Sequence, residues 1–243
     1  MRAMVLAAGL GTRLRPLTND RPKALVEIGG RTLLEITLTR LASFGVREVI
    51  INVHHFADMV ADYLKAHRNF DMRVEISRED DLLLDTGGGL KRAAWFFLQD
   101  PARLDEPFLL HNVDVVSKID LRQLLEYHAK NGALATLAVQ QRESSRQLLF
   151  EREGELCGRW INGQDPEFLR STPNVTAFAF SGIHAISPRL LPKINEDGVF
   201  SIIDTYLRLA GEGEKIFAFR ADGSYWRDLG KLGDLQQAER EFS

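Results

Sequence analysis

Short apolar runs, separated by polar and glycine-containing segments, divide the first 140 residues of the chain. These runs end at glycine or polar residues and lie at 3–8, 48–53, 107–110 and 133–140, and a further short strand is predicted at 73–76. Apolar runs of this length and with such boundaries predict buried strands.

Between these strands, apolar residues recur at the three-to-four residue spacing of a helix. Leu34, Leu38 and Leu41 show this spacing, and Gly45 follows them as a helix terminator. The helices predicted in this way cover residues 32–44, 57–64, 89–97 and 121–130.

The alternation of strand and helix predicts a parallel sheet with helices on both faces. After residue 139 the pattern changes to successive strands without intervening helices, predicted at 148–150, 156–161 and 177–186. The chain closes with a helix, a strand and a helix, predicted at 202–209, 216–220 and 232–242. The predicted fold class is therefore α/β, a Rossmann-like mixed, mostly parallel sheet flanked by helices, in a single domain over residues 1–243.

Composition narrows the classes of function. The 243 residues carry a formal net charge of -3, whereas a general nucleic-acid binder is usually basic. Cys157 is the single cysteine, which excludes an internal disulfide and suits a reducing compartment. No apolar run approaches the ~18 residues of a membrane span, and the apolar N-terminal stretch is too short for a signal sequence. We therefore expect a cytoplasmic monomer or small homo-oligomer without nucleic-acid or membrane partners.

The loop after the first predicted strand carries the most specific motif, LAAGLGTRLRPLT at residues 6–18, followed by RPKALV at 21–26. Loops at the carboxyl ends of strands bind ligands in open α/β sheets. Gly9 and Gly11 let backbone amides approach phosphate oxygens, and Arg13 and Lys23 supply positive charge. The Gly-Lys-Ser/Thr end of a Walker A loop is absent, and so is the third glycine of a dinucleotide fingerprint, which argues against a nicotinamide-dependent oxidoreductase.

This block resembles the signature of the sugar-nucleotide pyrophosphorylases, the sugar-1-phosphate nucleotidylyltransferase superfamily. In that superfamily the loop holds a nucleoside triphosphate, and the residues that match Arg13 and Lys23 neutralise charge in the transition state. The resemblance runs the length of the chain and is strongest before residue 115. It implies a nucleotide-binding part over residues 1 to about 140 and a sugar-binding, C-terminal part over about 141–243.

Two aspartates are the expected ligands of Mg²⁺. Asp114 ends the segment LLHNVD and Asp228 lies in YWRDLG. On spacing alone each would be a turn or cap residue. The resemblance implies that they match the Gly-Asp and Trp-x-Asp-x-Gly motifs that hold the metal in the superfamily. Val113 stands where many relatives have glycine.

The segment LDTGGG at 84–89 precedes a predicted helix, so its backbone groups could contact a base or an anion. It resembles the nucleotide-base loop of small uridylyl- and guanylyltransferases, and Asn112 is a candidate for a base or ribose contact. The predicted nucleotide-binding residues are Leu6, Ala7, Ala8, Gly9, Gly11, Thr12, Arg13, Lys23, Asp85, Gly87, Gly88 and Asn112.

The sequence contains fewer motifs for the site that binds the acceptor sugar phosphate. Phe-Ser-Gly-Ile at 180–183 resembles small uridylyltransferases that act on N-acetylmuramate 1-phosphate in cell-wall recycling. The Glu-Lys-Pro segment that grips the sugar in many relatives is absent. The predicted sugar-binding residues are Arg146, Asn162, Gly182 and Trp226.

The expected partners are therefore a nucleoside triphosphate and a sugar 1-phosphate. The expected reaction transfers a nucleoside monophosphate, with UTP favoured as donor, and releases pyrophosphate; UDP-N-acetylmuramate is one candidate product. Guanylyl transfer to mannose 1-phosphate and cytidylyl transfer to phosphocholine remain open. A non-catalytic nucleotide-sugar sensor is the alternative of another class, and the joint presence of Arg13, Lys23, Asp114 and Asp228 speaks against it.

Overall fold

A ten-stranded mixed sheet lies at the centre of the structure, a computed structural model that describes residues 1–170 and 172–242. The strands are β1 (Arg2–Leu6), β2 (Glu27–Ile28), β3 (Arg31–Thr32), β4 (Glu48–Val53), β5 (Arg73–Arg78), β6 (Phe108–Asn112), β7 (Val115–Ser117), β8 (Ala135–Gln140), β9 (Arg146–Glu151), β10 (Leu156–Ile161), β11 (Glu167–Phe168), β12 (Val175–Ile186), β13 (Ile216–Arg220) and β14 (Trp226–Asp228). The α-helices are α1 (Leu33–Ser43), α2 (Ala57–Ala66), α3 (Asp85–Ala93), α4 (Trp95–Leu98), α5 (Leu121–Lys130), α6 (Ile202–Gly211) and α7 (Leu232–Phe242).

The main sheet joins a parallel half to a mixed half. Strands β5, β4, β1 and β6 are neighbours in parallel pairing, and β12 then pairs antiparallel with β6, β8 and β9. Among the described strands of this sheet, β10 and β12 run opposite to all the others. The predicted mixed, mostly parallel α/β sheet is therefore confirmed.

Each face of the sheet is covered by helices. Ala3 and Val5 of β1 lie in one hydrophobic cluster, with α1, α2, α5 and α7, whereas Met4 lies in the other, with α3, α4 and α6. Successive side chains of a strand point to opposite faces, so a strand with both faces covered must be apolar throughout. This explains why the strand signal was a continuous apolar run.

Local capping explains the starts of several helices. Thr32 Oγ1 accepts a hydrogen bond from Glu35 N (3.1 Å), which is half of a capping box, and Asp120 accepts from two backbone amides at the start of α5.

The predicted bounds were less accurate at α3, because this helix begins at Asp85 rather than Gly89, and a separate short helix follows at Trp95. The ribbons β2–β3 and β7–β14 were not predicted, since strands of two or three residues are too short for a periodic signal. No helix of the described residues combines the length and the apolar character needed to cross a membrane.

Buried histidines should make the fold sensitive to acid. Burial, with a smaller contribution from the positive charge of His111, lowers the pKa of His184 to about 3; burial also lowers the pKa of His128, to about 4. An unfolded histidine titrates near ~6.5, so below that pH the unfolded chain binds more protons than the folded one. We expect the free energy of unfolding to be at its full value above pH ~6.5 and to fall as the pH is lowered towards about 4.

Urea unfolding between pH 7.5 and 4.5 checks this expectation. His184→Gln should reduce the slope of the free energy of unfolding against pH by the equivalent of about one bound proton. Replacing the exposed His67 by glutamine is the matched control for the substitution itself. Equal slopes for the parent and His184→Gln would contradict the assignment of the acid sensitivity to His184.

Candidate active site

Two glycines shape the loop after β1 in different ways. Gly11 has a left-handed backbone (φ 63°), and a Cβ there would lie 2.9 Å from Thr18 Cγ2 and 3.1 Å from Lys23 Cβ. Gly11 therefore lets the loop pack closely against the segment that carries Lys23. A Cβ on Gly9 would meet nothing within 4 Å, so this part of the loop is open to a ligand.

Hydrogen bonds behind this loop fix its start. Asn52 Nδ2 donates to Oε1 of the buried Glu79 (2.7 Å), and Ala7 N donates to Asn52 Oδ1 (2.8 Å). Since a backbone N–H can only donate, Ala7 N determines which way the Asn52 amide faces and leaves Nδ2 to donate to Glu79. Sequence reasoning missed both residues, although a polar asparagine inside the apolar run EVIINV is a signal that could have identified Asn52.

A short antiparallel ribbon brings the two predicted metal ligands together. Strand β7 directly follows Asp114, and β14 ends at Asp228, which lies opposite Val115 in the register. Leu229 N also donates to the carbonyl of Asp114 (2.8 Å). The two aspartates, 114 residues apart in sequence, are therefore held by backbone pairing at one end of the ribbon.

Val113 does not distort this turn. Its side chain is buried in the hydrophobic cluster that covers one face of the sheet. Its backbone is not among the left-handed residues of the chain. Glycine is therefore not required at this position for Asp114 to project from the end of β6.

The charged side chains converge around Gly230. A Cβ on Gly230 would lie 2.8 Å from Asp228 Oδ1, 3.1 Å from an Nη of Arg13 and 3.4 Å from Lys23 Nζ. Lys23 Nζ also forms an ion pair with Asp114 Oδ2. Two cations and two carboxylates thus share one small volume, and the absence of a side chain on Gly230 leaves room for them.

The electrostatic environment of Asp228 shows that the two carboxylates interact. Burial and, next, the negative charge of Asp114 raise the pKa of the Asp228 carboxyl. A hydrogen bond from Gly230 N (2.7 Å) and the charges of Lys23 and Arg13 act in the opposite direction. A site that holds two acidic groups so close together favours a bound cation.

A cavity of about 310 Å³ opens beside this cluster. It is bounded by the loop after β1, the ends of β4 and β6, and the start of α3. Six of the predicted nucleotide-binding residues line it: Leu6, Ala8, Gly9, Lys23, Asp85 and Asn112. Asn52, Leu83, Thr86 and Val199, which were not predicted, line it as well.

The other six predicted nucleotide-binding residues do not line this cavity. Ala7 is engaged by Asn52, and Gly11 packs against Thr18. Thr12 and Arg13 lie exposed in the same loop, so the loop presents them at the rim. The remaining two, Gly87 and Gly88, lie within α3.

Two of the three glycines of α3 allow close packing with a distant segment, and the third, Gly89, lies against Asn52 and Glu79. A Cβ on Gly87 would lie 2.3 Å from Cε2 of Phe200, and a Cβ on Gly88 would lie 2.5 Å from the carbonyl oxygen of Gly198. Gly87 N also donates to Phe200 O (2.9 Å). A side chain at Gly88 would therefore strike the backbone of Gly198, whereas Asp85 and Thr86 at the start of the helix face the cavity.

A second cavity, of about 530 Å³, adjoins the first. Three of the four predicted sugar-binding residues, Arg146, Gly182 and Trp226, line it, whereas the exposed Asn162 does not. Gly182 has a left-handed backbone, and a Cβ there would lie 3.0 Å from Asn112 Nδ2. Asn112 lines both cavities, so Gly182 leaves space for a side chain at their boundary.

The two aspartates also lie at this boundary. Asp114 lines the first cavity and Asp228 lines the second. A ligand in one cavity and a ligand in the other would therefore meet at the carboxylate pair. A larger cavity of about 810 Å³ beside Tyr127 and Arg220 contains none of the predicted site residues.

Comparisons with known proteins identify the family of this chain. Residues 2–148 match the profile of the family described as nucleotidyl transferase. The chain is 32% identical over 216 residues to N-acetylmuramate alpha-1-phosphate uridylyltransferase of Caulobacter vibrioides, covering 87% of this chain and 85% of that protein. It is 30% identical over 240 residues to mannose-1-phosphate guanyltransferase of Aspergillus fumigatus, covering 97% of this chain and 62% of that protein.

Solved structures share the fold. HddC from Yersinia pseudotuberculosis, crystallised with GMP-PN, superposes with a TM-score of 0.76 at 22% sequence identity. The alignment covers 100% of this chain and 99% of that one.

Proposed function

We propose that this chain, which belongs to the nucleotidyl transferase family, transfers a uridylyl group from UTP to a sugar 1-phosphate and releases pyrophosphate. The observation that carries the proposal is the position of Asp114 and Asp228 at the boundary of two cavities, with Lys23 and Arg13 beside them. The nucleotide would occupy the cavity formed largely by residues before about 140, and the acceptor would occupy the one formed largely by residues after it. Under this proposal both parts belong to one domain.

The carboxylate pair fits a divalent metal. Its donors are hard oxygens, which Mg²⁺ prefers. In the described part of the chain, no group of three or more His, Cys, Asp or Glu side chains could hold a metal, so substrate phosphates and water would complete the coordination. Under this proposal Asp114 and Asp228 hold Mg²⁺, which supplies positive charge to the phosphate oxygens when it is bound.

The reaction needs little proton transfer from the protein. An acceptor phosphate oxygen attacks the α-phosphorus of the nucleotide, the new P–O bond forms, and the bond from the α-phosphorus to the pyrophosphate oxygen breaks. Because the nucleophile is already an anion, catalysis consists mainly of positioning and charge neutralisation. Lys23 and Arg13 lie where they could stabilise charge on the transferred and leaving phosphates.

The choice of UTP rests on two observations. The nucleotide cavity, at about 310 Å³, is at the small end of ligand sites, which favours a pyrimidine over a purine. The Caulobacter relative is named as a uridylyltransferase. Guanylyl transfer is the second candidate, because the Aspergillus relative is named as a guanyltransferase. N-Acetylmuramate 1-phosphate and mannose 1-phosphate are the corresponding acceptors to test.

We expect UTP to exceed ATP and GTP in kcat/KM by at least about tenfold, or about 1.4 kcal/mol. Pyrophosphate release should be measured with UTP, GTP, CTP, dTTP and ATP against N-acetylmuramate, glucose and mannose 1-phosphates and phosphocholine. A tenfold preference for GTP or ATP would contradict the base assignment and leave nucleotidyl transfer in place. No release with any pair would contradict the proposed function and favour a nucleotide-sugar sensor.

A further inference from the structure

Arg142 is a cation built into the wall of the acceptor cavity. It follows β8, and its guanidinium carbon lies 3.7 Å from the centroid of the Trp226 ring. One Nη donates to the carbonyl oxygen of Phe180 (2.7 Å). Stacking on an indole and a bond to a strand carbonyl hold the planar group in one orientation.

The charge of Arg142 is not neutralised by an adjacent carboxylate. In the described residues, no Asp or Glu oxygen lies within 4.0 Å of its nitrogens, and its buried Nε has no hydrogen-bond partner. Arg159, in the same cavity, differs because it is paired with both Glu167 and Asp204 (2.7 Å each). Burial lowers the pKa of Arg142, which reflects the cost of removing an unpaired guanidinium from water.

A half-buried cation with an unused N–H is suited to bind an anion. Its position indicates which anion this would be. The charge of Asp228 acts on Arg142, and Asp228 also belongs to the carboxylate pair at the cavity boundary. An anion in contact with Arg142 would therefore lie beside the reacting phosphates and not at the far end of the sugar.

We propose that Arg142 binds the phosphate of the acceptor sugar 1-phosphate through the Nη that donates to no protein group, and that it orients the attacking oxygen. This inference rests on the proposed transfer reaction. Arg142 lies in the polar segment QQRESSRQ, whose sequence gives no reason to select this arginine over its neighbours. The same guanidinium could also bind a carboxylate on an acidic sugar, so the test includes acceptors with and without one.

Arg142→Met, which keeps an unbranched apolar side chain and removes the charge, should raise KM for the acceptor at least tenfold and leave KM for the nucleotide within about twofold. Arg142→Lys should recover part of the loss, because it restores the charge without the planar fork. Arg122→Met removes the same charge from the exposed start of α5 and is the control.

The acceptors are N-acetylmuramate 1-phosphate and N-acetylglucosamine 1-phosphate, which differ by the lactyl ether that carries the carboxylate. Equal losses with both would support phosphate binding, and a loss confined to N-acetylmuramate 1-phosphate would overturn it. Equal increases in both the acceptor and nucleotide KM values would also overturn it, because they would indicate a general structural effect.

Equilibrium binding separates this inference from the reaction itself. Calorimetric titration of the parent and Arg142→Met with glucose 1-phosphate decides the role of Arg142 even if the parent shows no turnover. A Kd at least tenfold weaker in Arg142→Met supports the inference, and an unchanged Kd overturns it. An inactive parent would refute the proposed function alone.

Discussion

Asp114→Asn should lower nucleotidyl transfer by about 10³-fold or more and leave the fold intact. Losing one of two anionic ligands removes several kcal/mol of the charge stabilisation that a divalent metal supplies, and each ~1.4 kcal/mol is worth about tenfold in rate. Asparagine keeps the size of the side chain and an oxygen that can accept a hydrogen bond from Lys23. The expected damage is therefore chemical and not structural.

Pyrophosphate release as a function of Mg²⁺ concentration, beside a thermal melt, checks this expectation. Asp228→Asn should show a comparable loss, since both carboxylates face the same position. Asp105→Asn removes an exposed carboxylate elsewhere and is the matched control. Near-normal activity of Asp114→Asn at low Mg²⁺ would show that this carboxylate does not hold the metal.

Lys23→Ala should slow transfer by about 10²-fold or more, which is typical for loss of one electrostatic stabiliser of a transition state. Lys23 is 8% exposed, and its Nζ touches Asp114 and lies near the Arg13 guanidinium. In this low-exposure position its charge is screened less by water than that of a surface lysine. It is therefore placed to act on phosphate oxygens held at the carboxylate pair.

Single-turnover rates at saturating nucleotide measure this effect apart from binding. Lys130→Ala, at the exposed end of α5, removes an equal charge as a control. The melting temperature of Lys23→Ala should be measured together with its rate, because removing Lys23 leaves Asp114 and Asp228 close together with fewer compensating charges. A rate within a few-fold of the parent would mean that Lys23 serves packing alone.

Much of the architecture followed from the sequence because its causes are local. Continuous apolar runs marked strands with both faces covered, and apolar residues every three or four positions marked helices such as α1 and α5. Capping residues such as Thr32 acted on amides only two or three residues away. Candidate residues in the motifs, including Asp114, Asp228 and Lys23, could also be named from the sequence.

The arrangement of these residues as a site depended on contacts between distant segments. Antiparallel pairing of β7 with β14 brought the two carboxylates together, and Gly230 left room for Arg13 and Lys23 beside them. The glycines of α3 were expected to bring backbone groups to a base or an anion, yet Gly87 and Gly88 allow close packing of α3 against Phe200 and Gly198. No short-range pattern contains that information.

Arg142 and Asn52 show the same difference between what the sequence indicates and what the folded structure decides, here for polar residues. A single arginine in a polar segment has no distinguishing local signal; its stacking on Trp226, 84 positions later, sets its orientation. Asn52 stood out as a polar residue in an apolar strand, but its partners Glu79 and Ala7 could be known only from the folded chain.

Local propensity depends on neighbours along the chain, so the sequence alone determined the elements and candidate residues. Burial, charge pairing and cavity shape depend on residues that the fold brings together, so the tertiary structure decided which candidates share a site.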